Sequence, residues 1–115
     1  MEIKDIVKEI YTALDDKMAE DITILDIREI SVMADYFIIA NSDNTSQMNA
    51  MKNAVENVMA MHGINAQQIE GGNNSSWILM DYEDVIVHLF SRDDRLFYNL
   101  ERIWQDGKKV SIEEL

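Results

Sequence analysis

Apolar residues recur along this chain with two periods, and each period marks a kind of element. Ile3, Ile6, Val7, Ile10, Leu14 and Met18 return every three or four positions, with Lys and Asp between them. That spacing gathers them on one face of an amphipathic helix of about four turns. Ile22 to Ile27 and Tyr36 to Ala40 are rich in β-branched and aromatic residues, as strands are. The second of these runs is continuously apolar, the pattern of a central strand buried on both faces. Asn41 to Ser46 is a dense cluster of capping residues inside which a second helix should begin. Met48, Met51, Val55, Val58 and Met59 mark its inner face, and Gly63 stops it. A weaker strand over Ile64 to Ile69 and a flexible loop over Glu70 to Ser76 follow. Two apolar strands, near 77–81 and 85–90, then form a hairpin about an Asp81-Tyr82-Glu83-Asp84 turn.

Ser91-Arg92-Asp93-Asp94 resembles a capping box and opens a last helix. Its buried stripe is expected to be Leu96, Phe97, Leu100, Ile103 and Trp104, with Gly107 as its stop and 108–115 as a loose tail. The chain is therefore expected to be one domain over 1–115, its ordered core about 3–107. The fold class is α/β of the α+β kind, a single mixed five-stranded sheet with three helices in the order α-β-β-α-β-β-β-α. Three helices of this size cover one face of such a sheet and hardly both. Yet the hairpin strands do not alternate cleanly. Trp77 and Leu79 oppose Ile78 and Met80, and Val85, Val87 and Leu89 oppose Ile86, His88 and Phe90. One apolar set should face away from the helices, and an uncovered apolar patch with a polar rim marks an interaction or self-association surface.

Charge sharpens that expectation. There are 22 acids against 10 bases in 115 residues, a net charge of −12. Between Lys52 and Arg92 stand Glu56, Glu70, Asp81, Glu83 and Asp84 with no Lys or Arg. Binding to a nucleic-acid backbone needs a basic stripe that replaces phosphate counterions, so direct contact with DNA or RNA is not expected. A basic protein partner suits the acidic turn instead. No cysteine is present, which excludes disulfides and thiolate metal sites. No secretory pattern opens the chain and no apolar run nears the roughly 20 residues of a membrane helix, so a cytoplasmic setting is expected.

Chemistry is weakly signalled. A magnesium-dependent nucleotidyltransferase needs a Gly-Ser pair at a helix N-terminus and two carboxylates on a neighbouring strand. Here Ala40-Asn41-Ser42 lacks the glycine, and Asp81 and Asp84 lie across a turn. His62 and His88 have no nucleophile and orienting carboxylate that the sequence places beside them. Gly71-Gly72 lacks the spacing of a phosphate-binding loop. No catalytic residue, cofactor or metal is expected. Trp77, beside an acidic turn, has the character of an interface anchor.

Four stretches in order resemble a known family. They are Ala34-Asp35-Tyr36-Phe37-Ile38-Ile39, then Glu70-Gly71, then the run from Trp77 to Phe90, and then Arg95 to Trp104 with its arginine, aromatic–Tyr, Leu-Glu and Trp pattern. Together they resemble the ribosomal silencing factor RsfS, or Iojap, family over about residues 3 to 107. The family commonly has glycine where Glu83 stands. The resemblance implies a fold similar to a nucleotidyltransferase core without its catalytic residues. It also implies a non-enzymatic factor that binds the large ribosomal subunit through that subunit's fourteenth protein. There it blocks joining of the small subunit, represses translation and attends late subunit assembly, and it often forms a homodimer when free. Trp77, Leu79, Asp81, Tyr82 and Asp84 are the residues expected to meet the partner. The competing possibility, a magnesium-dependent nucleotidyltransferase, would make Ser42, Asp81 and Asp84 essential.

Overall fold

The computed structural model describes residues 2–72 and 74–115, so Asn73, within the loop expected at 70–76, lies outside the described residues. Helix α1 spans Ile3–Asp16, strand β1 Glu20–Asp26, strand β2 Tyr36–Ser42 and helix α2 Thr45–Met61. Strands β3 (Gln68–Glu70), β4 (Trp77–Asp81) and β5 (Val85–Ser91) follow. Helix α3 (Arg92–Tyr98), the short helix α4 (Leu100–Ile103) and strand β6 (Lys108–Val110) complete the order, with a 3₁₀ turn at Ile112–Glu114. The sheet is mixed, in the order β3-β4-β5-β2-β1-β6. Among the described residues only β2 and β5 run parallel; the other neighbours are antiparallel. Among the described residues the sheet thus has six strands rather than the expected five. Lys108 to Val110, expected to lie loose, instead pair with Asp26 to Ile24 of β1. Three residues separated by a helix break carry too little periodicity to be seen as a strand before their partner is known.

Local sequence explains the boundaries. The Asn44 side chain accepts from the backbone N–H of Gln47 at 2.8 Å and opens α2. Gly63, at φ +73°, lets the chain leave the helix after His62. Every residue of β2 is buried, as its unbroken apolar run requires of a strand with neighbours on both edges and cover on both faces.

Two cores result. Val7, Ile10 and Leu14 of α1 and Met48, Met51, Val55 and Met59 of α2 pack against Ile24, Ile38, Ile78, Met80, Val85, Val87 and Leu89. On the other face lie Leu25, Ile27, Phe37, Ile39, Ile86 and Phe90, with Trp77, Leu79, Leu100 and Trp104 partly buried against them. The α3–α4 segment therefore crosses to the face opposite α1 and α2, while Val110, Ile112 and Leu115 return to the α1/α2 core, and helices touch both faces rather than one. Its cover is partial because the last helix is not continuous. Asn99 adopts a left-handed conformation, φ 47° and ψ 56°, between α3 and α4. A helical stripe cannot continue through such a residue. Leu100 and Trp104 still face the sheet, but Leu96, Phe97 and Ile103, expected in the same stripe, are exposed. The α3 side chain that faces inward is Arg95.

Candidate docking site

Period-two alternation along β4 puts Trp77, Leu79 and Asp81 on the face away from α1 and α2, and all three are partly buried. Ile78 and Met80 are fully buried on the other side. Trp77 is not sealed. Its ring meets Phe90 at 4.9 Å and Tyr98 at 4.6 Å between centroids, and Tyr98 in turn meets Phe97 at 5.1 Å. An aromatic row therefore runs from the exposed Phe97 across Tyr98 to Trp77. Glu70 of β3 pairs with Leu79 and borders a hollow that Trp77 and Leu79 also line.

Tyr98 and Phe97 were not among the residues that sequence alone assigned to this surface. The helical period put Phe97 in the core, and only the break at Asn99 turns it outward. The arginine three positions before Tyr98 holds this segment in place. Arg95 is 7 % exposed and donates to the Asp21 carbonyl at 2.6 Å, the Asn41 Oδ1 at 2.9 Å and the Thr23 Oγ1 at 2.9 Å. It also donates to the Glu101 carboxylate at 3.2 Å. The Asp21 carbonyl is available because β1 bulges between Glu20 and Thr23, with Asp21 at φ 52°.

The turn at the other end of β4 is acidic and fully specified. The Asp81 Oδ1 accepts from the Glu83 N–H at 2.8 Å, and the Tyr82 N–H donates to the Val85 carbonyl at 2.9 Å. Glu83 and Asp84 are exposed. The Asp84 carbonyl receives the N–H groups of Asp35 and Tyr36, which ties the turn to the start of β2. Tyr82 departs from expectation. It is 7 % exposed and packs in the α1/α2 core, on the opposite face from Trp77. Burial, with the nearby Glu56 charge adding to it, pushes its phenol up to about 12. Its side chain is a core component, not a member of the Trp77 surface. The turn reverses direction between Asp81 and Val85, and the next residue after an outward Asp81 points inward.

His88 lies beneath this surface. It is 5 % exposed, and burial lowers its pKa to about 4. Its Nδ1 accepts the indole N–H of Trp77 at 3.2 Å.

Ser42 and the acidic turn, which the nucleotidyltransferase alternative needs together, do not converge. Ser42 closes β2, whereas Asp84 is tied to Tyr36 at its start, so they are separated by the strand's length, roughly 20 Å for seven residues. The Ser42 hydroxyl is buried and donates to the Asn44 carbonyl at 3.1 Å. Among the described residues no group of three or more His, Asp or Glu is placed to hold a metal.

Comparison with known proteins assigns the lineage. The family model described as ribosomal silencing factor during starvation, RsfS, matches residues 1–115. The ribosomal silencing factor RsfS of Bacillus subtilis is 38 % identical over 113 residues, which is 98 % of this chain and 96 % of that one. The chain belongs to the RsfS family of ribosomal silencing factors. A crystal structure of a Chromobacterium violaceum protein superimposes with a TM-score of 0.88 at 32 % identity, covering 96 % of this chain and 92 % of the other. The chloroplastic Iojap protein of maize is 27 % identical over 96 residues, 82 % of this chain and 41 % of the maize protein. The RsfS-family fold, a mixed α+β sheet, is therefore the fold of this chain. Glu83 has φ 72°, the left-handed region that glycine adopts without strain. Among the described residues no helix is long and apolar enough to cross a membrane.

Proposed function

We propose that this chain docks on the large ribosomal subunit, on its fourteenth protein, through the Trp77–Leu79 face and the acidic turn, and that its bulk then blocks joining of the small subunit and represses translation. The observation that carries this is a partly open aromatic face that ends in a turn of three carboxylates. Trp77, Leu79, Asp81 and Asp84 belong to the proposed contact, Tyr98 joins them, and Tyr82 leaves it. A desolvated tryptophan supplies contact energy, and exposed carboxylates steer a basic protein surface towards it. Steric blocking asks for no catalytic group. In the free state the same apolar face pairs two copies of the chain, and docking separates them.

Co-sedimentation with purified large subunits tests this. Trp77→Ala should weaken binding about 30-fold, the effect of losing a hot-spot anchor worth about 2 kcal/mol. Changing Asp81 and Asp84 together to Lys should slow association and flatten its salt dependence. Circular dichroism identical to the parent shows that the fold persists. Parent-like binding by Trp77→Ala would remove this face from the interface. Light scattering with and without large subunits reports whether dimers form and then dissociate.

A further inference from the structure

We infer that His88 is a positioning residue for docking: it is the built-in acceptor that keeps the Trp77 indole N–H satisfied when a partner seals that side chain from water. This rests on Trp77 being an anchor of the proposed docking face.

The observations are geometric. On their shared face Trp77 pairs across the strands with Phe90, and His88 pairs with Leu79, so indole and imidazole are diagonal neighbours. The indole Nε1–H donates to the His88 Nδ1 at 3.2 Å. The imidazole is wedged among rings, with Phe37 edge-on at 4.9 Å and Phe90 stacked at 6.2 Å between centroids. A neutral imidazole that accepts at Nδ1 carries its single proton on Nε2. That Nε2 is buried and has no hydrogen-bond partner among the described residues.

An orphaned buried donor is a cost to the isolated fold. A phenylalanine at the same position would carry no such orphaned donor. What phenylalanine lacks is the acceptor. In the free protein the partly open indole can turn its N–H to water. Under a docked partner it cannot, and an indole N–H without an acceptor then opposes binding. His88 thus holds Trp77 in one orientation with its only polar atom already satisfied, and the anchor presents apolar surface alone. A residue kept only for packing would have no reason to retain an unpartnered N–H in an aromatic core.

The opposite signs of two effects test this. His88→Phe should leave the fold as stable as the parent or more so at neutral pH, and should weaken co-sedimentation with purified large subunits about tenfold, the loss of one satisfied buried donor. His88→Asn, whose Oδ1 stands where Nδ1 stood, should restore most of the binding. Trp77→Phe removes the donor, and in that background His88→Phe should cost no further affinity. In a Trp104→Phe protein, His88→Phe should also increase the fast depolarisation of Trp77 fluorescence. Parent-like binding by His88→Phe alongside weakened binding by Trp77→Ala overturns the role of His88 and leaves the docking face standing. Parent-like binding by both overturns the docking face itself. One measurement needs no variant: ¹⁵N shifts of the His88 imidazole should report the Nε2–H tautomer at pH 7, and the Nδ1–H tautomer overturns the inference.

Discussion

Replacing Arg95 by Met should be among the most damaging changes in this protein, although the residue lies in a short helix near the surface. The two side chains have similar length, so little volume changes, but every donor is lost. The Asp21 carbonyl, the Asn41 Oδ1 and the Thr23 hydroxyl each lose a partner at 2.6 to 2.9 Å, and the Glu101 carboxylate loses its cation. Removing one member of a buried pair costs about 3–5 kcal/mol. Glu101 keeps some access to water, its side chain being 26 % exposed, which places the loss near the lower end, about 3 kcal/mol. For a domain of 115 residues that lowers the melting temperature by about 12 °C. Arg95→Lys should recover a minority of this, because one ammonium cannot span acceptors on β1, β2 and α4 together. Thermal unfolding followed by circular dichroism, with urea midpoints as a second measure, provides the test. A shift below about 4 °C for Arg95→Met, equivalent to about 1 kcal/mol, would show that the network is solvated and carries no weight. Because Tyr98 is one helical turn beyond Arg95 and touches Trp77, the same variant should weaken docking beyond what its stability loss explains.

Three further outcomes follow from single residues. Burial lowers the His88 pKa to about 4 in the fold, while it protonates near 6.5 when unfolded, so the imidazole costs no protonation energy above about pH 6.5 and destabilises the fold progressively as pH falls towards 4. The unfolding free energy of the parent, from urea titrations, should therefore fall relative to His88→Phe by about 2–3 kcal/mol between pH 7 and 4.5, and parallel pH profiles would show that the imidazole is not desolvated. Glu83→Gly should raise stability by about 1 kcal/mol by removing a side chain from a φ of 72°, measured as a higher urea midpoint, with the Asp81 contact to the residue-83 N–H retained; no gain would mean that the greater freedom of glycine in the unfolded chain offsets the relieved strain. Gly71, at φ +90°, has no room for a Cβ, which would come within 2.5 Å of the Trp77 carbonyl oxygen. Gly71→Ala should cost about 2 kcal/mol and shift the fluorescence of Trp77, and an unchanged melting temperature would contradict that close approach.

Local order determined much of this protein. The alternation in β4 separates Trp77 and Leu79 from Ile78 and Met80 whatever the sheet does around them. The capping oxygens of Asn44 and Ser91 start α2 and α3 where the sequence puts them, since each satisfies an N–H only three residues away. The continuous apolar run of β2 announces a central strand. Long-range contacts decided the rest. Periodicity reports which residues share a face, not what that face meets. So it could not bring Tyr98 against Trp77 or send Tyr82 into the opposite core. Nor could it show that Lys108 to Val110 find a partner in β1. The same holds for two buried polar side chains. Arg95 finds an acceptor on a bulge some seventy residues earlier, and His88 accepts from a tryptophan on the neighbouring strand. Hydrogen-bond partners distant in sequence become neighbours only once the strands are in register, and that register belongs to the tertiary structure.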